Sequence, residues 1–214
     1  MKKALFIAIL AVFAVNVANA QNADEIKESW QKTINVPASD APVIEKLFTA
    51  WASEFPGSYV DAFNKFKQTG KADKIEVYEG FETDYKVNFL PKSGYLEIDG
   101  SYVLSISIDG ITDQIEKSHI LTAVYWNLKN GNKLFAVSIN DDGEIFPECA
   151  LAFYEYDANK GTLSPRPKIV KNVLDIIDDD EDTFVILPKE GKDLKYYDFR
   201  TESEKTIKWN GNGF

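Results

Sequence analysis

The 214-residue chain has one cysteine, Cys149, one histidine, His119, and a single methionine at its start. One cysteine excludes a disulfide framework, and one cysteine with one histidine excludes a zinc cluster of those residues. Basic side chains are in deficit: 24 Lys and Arg stand against 34 Asp and Glu, a formal charge of −10. That balance argues against nucleic acid as a partner. There is no G-x-S-x-G, no P-loop and no dinucleotide fingerprint, so the common nucleophile and phosphate motifs are missing. After the N-terminus no apolar run is long enough to cross a membrane as a helix. What remains, 44% hydrophobic and 13% aromatic residues, is the composition of a folded globular chain.

The N-terminus has a processing pattern. Lys2 and Lys3 precede twelve apolar residues, Ala4 to Val15, which is short of the roughly 20 that a bilayer span needs. Ala18-Asn19-Ala20 then reads as an A-x-A cleavage site, with the cut between Ala20 and Gln21. Residues 1–20 are therefore expected to be a Sec-type signal peptide, with no cysteine placed to carry a lipid. The expected location is the periplasm or the cell exterior. The remaining 194 residues (214 less 20), of formal charge −12 once two lysines are lost, can bury a core without covalent staples.

Residues 21–214 read as one α+β domain, helical over about 23–70 and β-rich over about 75–214. Ile26, Trp30 and Ile34 are spaced for a short helix over 24–34. Ile44, Leu47, Phe48, Trp51, Ala52 and Phe55 form one helical stripe, with Asp40 as N-cap and Pro42 in the first turn. Pro56-Gly57 breaks it. Ser58 and Asp61 resemble a capping box for a second helix, ending near Gly70. These two helices form a hairpin. Beyond Ile75 the period is two, and about 8–10 mostly antiparallel strands are expected because the connections are short. Lys168–Ile177 fits either a helix or a strand.

The strongest hairpin runs from Ile120 to Ile139 around Asn130-Gly131. A two-residue type I′ turn there pairs Trp126 with Phe135 and Val124 with Val137. Both faces of that hairpin are apolar, which places it centrally in a sheet covered on both sides, or on one side with an exposed patch on the other.

Chemistry is sparse. The acidic run Asp178–Asp182 fails as an EF-hand, because Thr183 and Lys189 stand where Gly and Glu are required. Asp157–Gly161 and Asn140–Gly143 have turn composition. No metal and no cofactor are expected. Cys149 reads as a small buried hydrophobe, and His119 as a structural residue. Glu76, Glu97, Glu148 and Glu155 are on or near strands but in no recognisable motif, so catalytic residues are not assignable. An enzyme, if this is one, would be a carboxylate-dependent hydrolase of glycans.

Ala123–Leu134, Phe153–Asp157 with Gly161–Leu163, and Lys208–Phe214 resemble segments of exported proteins of unknown function from Bacteroidetes, over roughly residues 85–214. The resemblance implies an envelope location and carries no catalytic residue. The expected function is therefore non-enzymatic binding of an envelope protein or glycan, with a structural envelope role as a further alternative. Tyr125, Tyr154 and Tyr156 are the candidate ligand-binding residues. Tyr154 and Tyr156, two apart on a strand, share one face, and an exposed face of such rings suits stacking on sugars.

Overall fold

The structure, a computed structural model, describes residues 30–78, 81–108, 111–141, 148–177 and 183–214. The side chains of residues 73, 76–78, 81–82, 104–108, 111–113 and 148–149 are not described. The expected signal peptide with its Ala20–Gln21 junction, the Asp178–Asp182 run, most of the 140–143 turn and the side chain of Cys149 thus lie outside the described residues.

Eleven strands and three helices are present among the described residues, an α+β arrangement in which every pairing is antiparallel. They are β1 (Ile34–Asn35), α1 (Val43–Glu54), α2 (Ser58–Thr69), β2 (Asp73–Tyr78), β3 (Phe81–Leu90), β4 (Tyr95–Ile108), β5 (Ile111–Asn127), β6 (Lys133–Asp141), β7 (Glu148–Asp157), β8 (Thr162–Pro165), α3 (Pro167–Ile177), β9 (Thr183–Ile186), β10 (Leu194–Asp198) and β11 (Ser203–Ile207). One sheet has the order β1-β8-β7-β6-β5-β4-β3-β2, and a second has β11-β10-β9.

The large sheet is a meander whose two faces are both covered. On one, Ile44, Leu47, Phe48 and Trp51 of α1 and Phe63 of α2 pack on Leu96, Ile98, Leu121, Ala123, Phe135, Val137 and Tyr154. Phe48 and Phe63 join the helices edge to face at 5.2 Å. On the other, Val124, Trp126, Leu134, Ala136 and Phe153 meet Ile169 and Val173 of α3, Val185 of β9, and Leu194 and Tyr196 of β10. The apolar pattern on both faces of the β5–β6 hairpin has its reason here.

Several local expectations change. The helix expected over 24–34 does not reach its end: Ile34 and Asn35 pair with Leu163 and Thr162 as β1. Asp40 does not cap α1. Pro42 does, its carbonyl accepting the Lys46 N–H at 2.9 Å. Gly57 rather than Ser58 caps α2, while Gly70 ends it in the left-handed conformation as expected. Lys168–Ile177 belongs to a helix, since Ile169, Val173 and Ile177 form one buried stripe.

The β5–β6 register is shifted by one residue from the expected one. Trp126 pairs with Leu134, Tyr125 with Phe135 and Val124 with Ala136. The turn is not type I′: the Leu128 carbonyl accepts the Gly131 N–H at 3.1 Å, and the Leu128 N–H reaches the Asn132 carbonyl at 2.9 Å. Gly131 alone takes positive φ, +88°, which is a three-residue loop with a left-handed third position. Asn130 is held by its own side chain, which accepts the Asn132 N–H and donates to Glu155. Phe135 consequently lies under the helices instead of beside Trp126.

Candidate functional site

A cleft of about 330 Å³ is lined by Ser93, Val124, Tyr125, Trp126 and the loop Pro188–Gly191. Its walls come from the β3–β4 turn, the end of β5 and the segment after β9. The turn is closed by the Ser93 N–H to the Leu90 carbonyl at 3.1 Å and the Gly94 N–H to the Pro91 carbonyl at 3.3 Å. Trp126 ties the far loop down: its indole N–H donates to the Lys192 carbonyl at 3.0 Å, and its ring stacks on Trp209 at 5.6 Å.

Tyr125 is half-buried and is the one candidate tyrosine at this cleft. Its ring lies against Gly94, where a Cβ would come within 2.6 Å of it. Lys133 is 5.0 Å over the ring centroid and donates to Asn127 Oδ1 at 2.7 Å. Tyr154 and Tyr156 are elsewhere. Tyr154 is 0% exposed, its hydroxyl donating to the Trp30 carbonyl, and burial raises its pKa. Tyr156 is buried with Lys46 of α1 over its ring. The expected exposed aromatic face is therefore not formed. The two side chains do share a face, but it is the face that α1 covers.

The single histidine sits on the helix-side face, enclosed by rings. Tyr59, Tyr85 and Tyr102 are 5.0, 5.7 and 5.7 Å from its ring. His119 Nε2 is 3.3 Å from the Tyr85 hydroxyl, which donates to Ser58 Oγ at 2.6 Å. Gly100 pairs with His119 across the strands, and any Cβ there would collide with the imidazole. Burial lowers the His119 pKa to about 4, which makes it a weak base near neutral pH. The same burial raises Tyr85, so this chain of hydroxyls does not activate Ser58.

The carboxylates named from sequence divide. Glu155 accepts Asn132 at 2.7 Å and Asn130 at 2.9 Å and pairs with Arg166. Burial pushes its pKa up, but those bonds outweigh it and leave the pKa lowered; the residue pins the hairpin turn to β7. Glu97 accepts the Tyr95 hydroxyl at 2.5 Å. Asp99, two residues on, has its pKa raised by burial, with Lys86 opposing and Glu97 adding to the rise. This pair lies on the other face from His119 and does not line the cleft. The side chains of Glu76 and Glu148 are outside the described residues. Asp157 accepts the Asn159 N–H at 3.0 Å and the Lys160 N–H at 3.3 Å, as turn composition implied. Among the described residues no three His, Cys, Asp or Glu side chains group as metal ligands, and no helix is long and apolar enough to cross a membrane.

Sequence reading missed Ser93, Trp126, Lys189 and Glu190. Trp126 carried a signal, an aromatic at the end of the best strand. The loop residues carried none, because tertiary folding brings them to β5 from more than 60 residues away.

Comparison with models of protein families, with curated proteins and with solved structures finds no match to this chain.

Proposed function

We propose that the chain is an exported, non-enzymatic binding protein of the cell envelope, processed between Ala20 and Gln21, and that its ligand is a glycan held at the Tyr125 cleft. The observation that carries the reading is the cleft itself, lined by Tyr125, Trp126, Ser93 and the 188–191 loop, whose size falls at the low end of small-molecule sites, about 300–1,000 Å³. A ring with a polar tip presents an apolar face to the C–H side of a sugar and a hydroxyl to its polar rim. Ser93 and the 188–191 loop supply further polar groups. The resemblance to exported Bacteroidetes proteins is in keeping with this and adds no residue to it.

The test is a panel of neutral and acidic envelope saccharides followed through the Trp126 indole resonance. Binding of at least one saccharide, lost in Tyr125→Ala with the fold retained, is the expected outcome. If no saccharide moves the resonance, the reading fails. A glycan hydrolase is the second reading, favoured by Asp99 and Glu97 alone: Asp99 would donate the proton and Glu97 would act as base. It requires saccharide cleavage that Asp99→Asn abolishes.

A further inference from the structure

We infer that two copies of the chain join through the β4–β5 hairpin, the outer edges of their β5 strands pairing antiparallel about a two-fold axis at Ile115. This interface is separate from the Tyr125 cleft and does not rest on the binding reading.

β4 and β5 outrun their neighbours. The last β3–β4 pair is Asp84 with Ser101, and the last β5–β6 pair is His119 with Asp141. The β4–β5 ladder continues for seven further pairs, from Tyr102 with Lys117 to Ile108 with Ile111. β3 meanwhile stays with β2, Thr83 opposite Ile75. At about 3.3 Å per residue the ribbon runs roughly 20 Å beyond the paired sheet. No strand lies beside its outer edges among the described residues. Gln114, Ile115 and Glu116 are all exposed, and successive strand residues face opposite sides, so β5 is open on both faces there. Ile115 is 40% exposed, and Val103, paired with Glu116, is 53% exposed. A two-stranded ribbon is marginally stable in water by itself, and an open edge is a template for a further strand.

The charges along β5 select that strand. A two-fold axis normal to the sheet keeps like faces together, so opposed residue numbers add to an even total. If most of the free edge is to pair, the axis falls on Asp113, Gln114, Ile115 or Glu116. On Asp113 or Glu116 it sets an acid against its own copy, and like charges directly opposite are destabilising. On Gln114 it sets Asp113 against Ile115 and Lys117 against Ile111. On Ile115 it sets Asp113 against Lys117 twice and Gln114 against Glu116 twice, and the exposed isoleucine meets its own copy. That register alone is charge-complementary, and self-complementarity is what a symmetric contact requires. The product is a four-stranded sheet shared by two molecules. A single strand edge is smaller than the roughly 20–30 residues a side of a standard interface, so the dimer is weak and forms as concentration rises.

Sedimentation velocity over a range of protein concentrations tests this, with the urea midpoint of each variant as the control for folding. The parent should pass from monomer to dimer. Asp113→Lys and Lys117→Asp each oppose like charges twice and should each weaken association by about tenfold or more. Combined, the two substitutions restore opposite charges and should recover association to within about threefold of the parent. Ser105→Lys, on the β4 edge, should leave it unchanged. A parent that stays monomeric throughout overturns the inference. So does a dimer that survives Asp113→Lys or that Ser105→Lys breaks, since either puts the contact elsewhere. If the combined variant is folded and does not regain association, the Ile115 register is wrong and the inference falls with it.

Discussion

The two faces of the eight-stranded sheet are covered by different means. One lies under a pair of helices joined through stacked and edge-on rings: Phe48 to Trp51 at 6.0 Å, Trp30 to Trp51 at 5.3 Å, Phe48 to Phe63 at 5.2 Å. The other is covered in pieces, by a three-stranded sheet, by α3 and by the chain's last residues. The helical cover absorbs almost every side chain beneath it, including Tyr154 and Tyr156. The piecemeal cover leaves seams. The cleft opens at one of them, where the loop after β9 meets the end of β5. Polar atoms are stranded at another: Ser138 Oγ and Asn140 Oδ1 are buried on β6 without a hydrogen-bond partner.

The sharpest way to break this contrast is Tyr154→Ala, which empties the centre of the helix side. A loss of about 3–5 kcal/mol in urea unfolding is expected, whereas Tyr154→Phe, which removes only the hydroxyl, should lose about 1–2 kcal/mol. A neutral Tyr154→Ala would mean that the helices do not seal that face.

Acid attacks the same layer. The folded pKa of His119, about 4, is below its ordinary 6.5, so the unfolded chain takes up the proton first. Stability is then full above about pH 6.5, falls as the pH drops to about 4 and is level in this respect below that. The total loss is about 3 kcal/mol. Urea unfolding midpoints across that range, compared with His119→Gln, should show the slope in the parent and a flatter profile in the variant. Parallel profiles would remove the histidine from the account.

Gly131→Val strains the left-handed turn residue of the hairpin shared by both faces. It should cost about 1–3 kcal/mol in chemical unfolding; an unchanged midpoint would place the bend elsewhere. The smallest effect belongs to the seam. Ser138→Ala removes a buried hydroxyl that has no partner, so stability should rise, by about 1 kcal/mol. A drop of that size would show that the hydroxyl is bonded in solution.

Much of the architecture was legible in spacing alone. The 3-4 steps from Ile44 to Trp51 fix α1, and period-two runs fix the strands, because burial on one face imposes those periods. The hairpin register was not legible. Asn-Gly serves both a two-residue turn and a three-residue loop, and in the loop that forms Asn130 bonds to Glu155 on the next strand. The facing of Tyr154 and Tyr156 was hidden for a related reason. When both faces of a strand are apolar, alternation says which residues lie together but not under which layer. Of the cleft, only Tyr125 was visible, since its other wall arrives through a fold-dependent contact.

The neighbour order of the large sheet has a kinetic consequence. From β2 to β8 each strand pairs with the one that follows it, so the sheet can grow one hairpin at a time, and every step closes a short loop. The exception is β1, whose Ile34 pairs with Leu163 across most of the described chain. That two-residue strand has nothing to pair with until β8 is in place. It closes the sheet last.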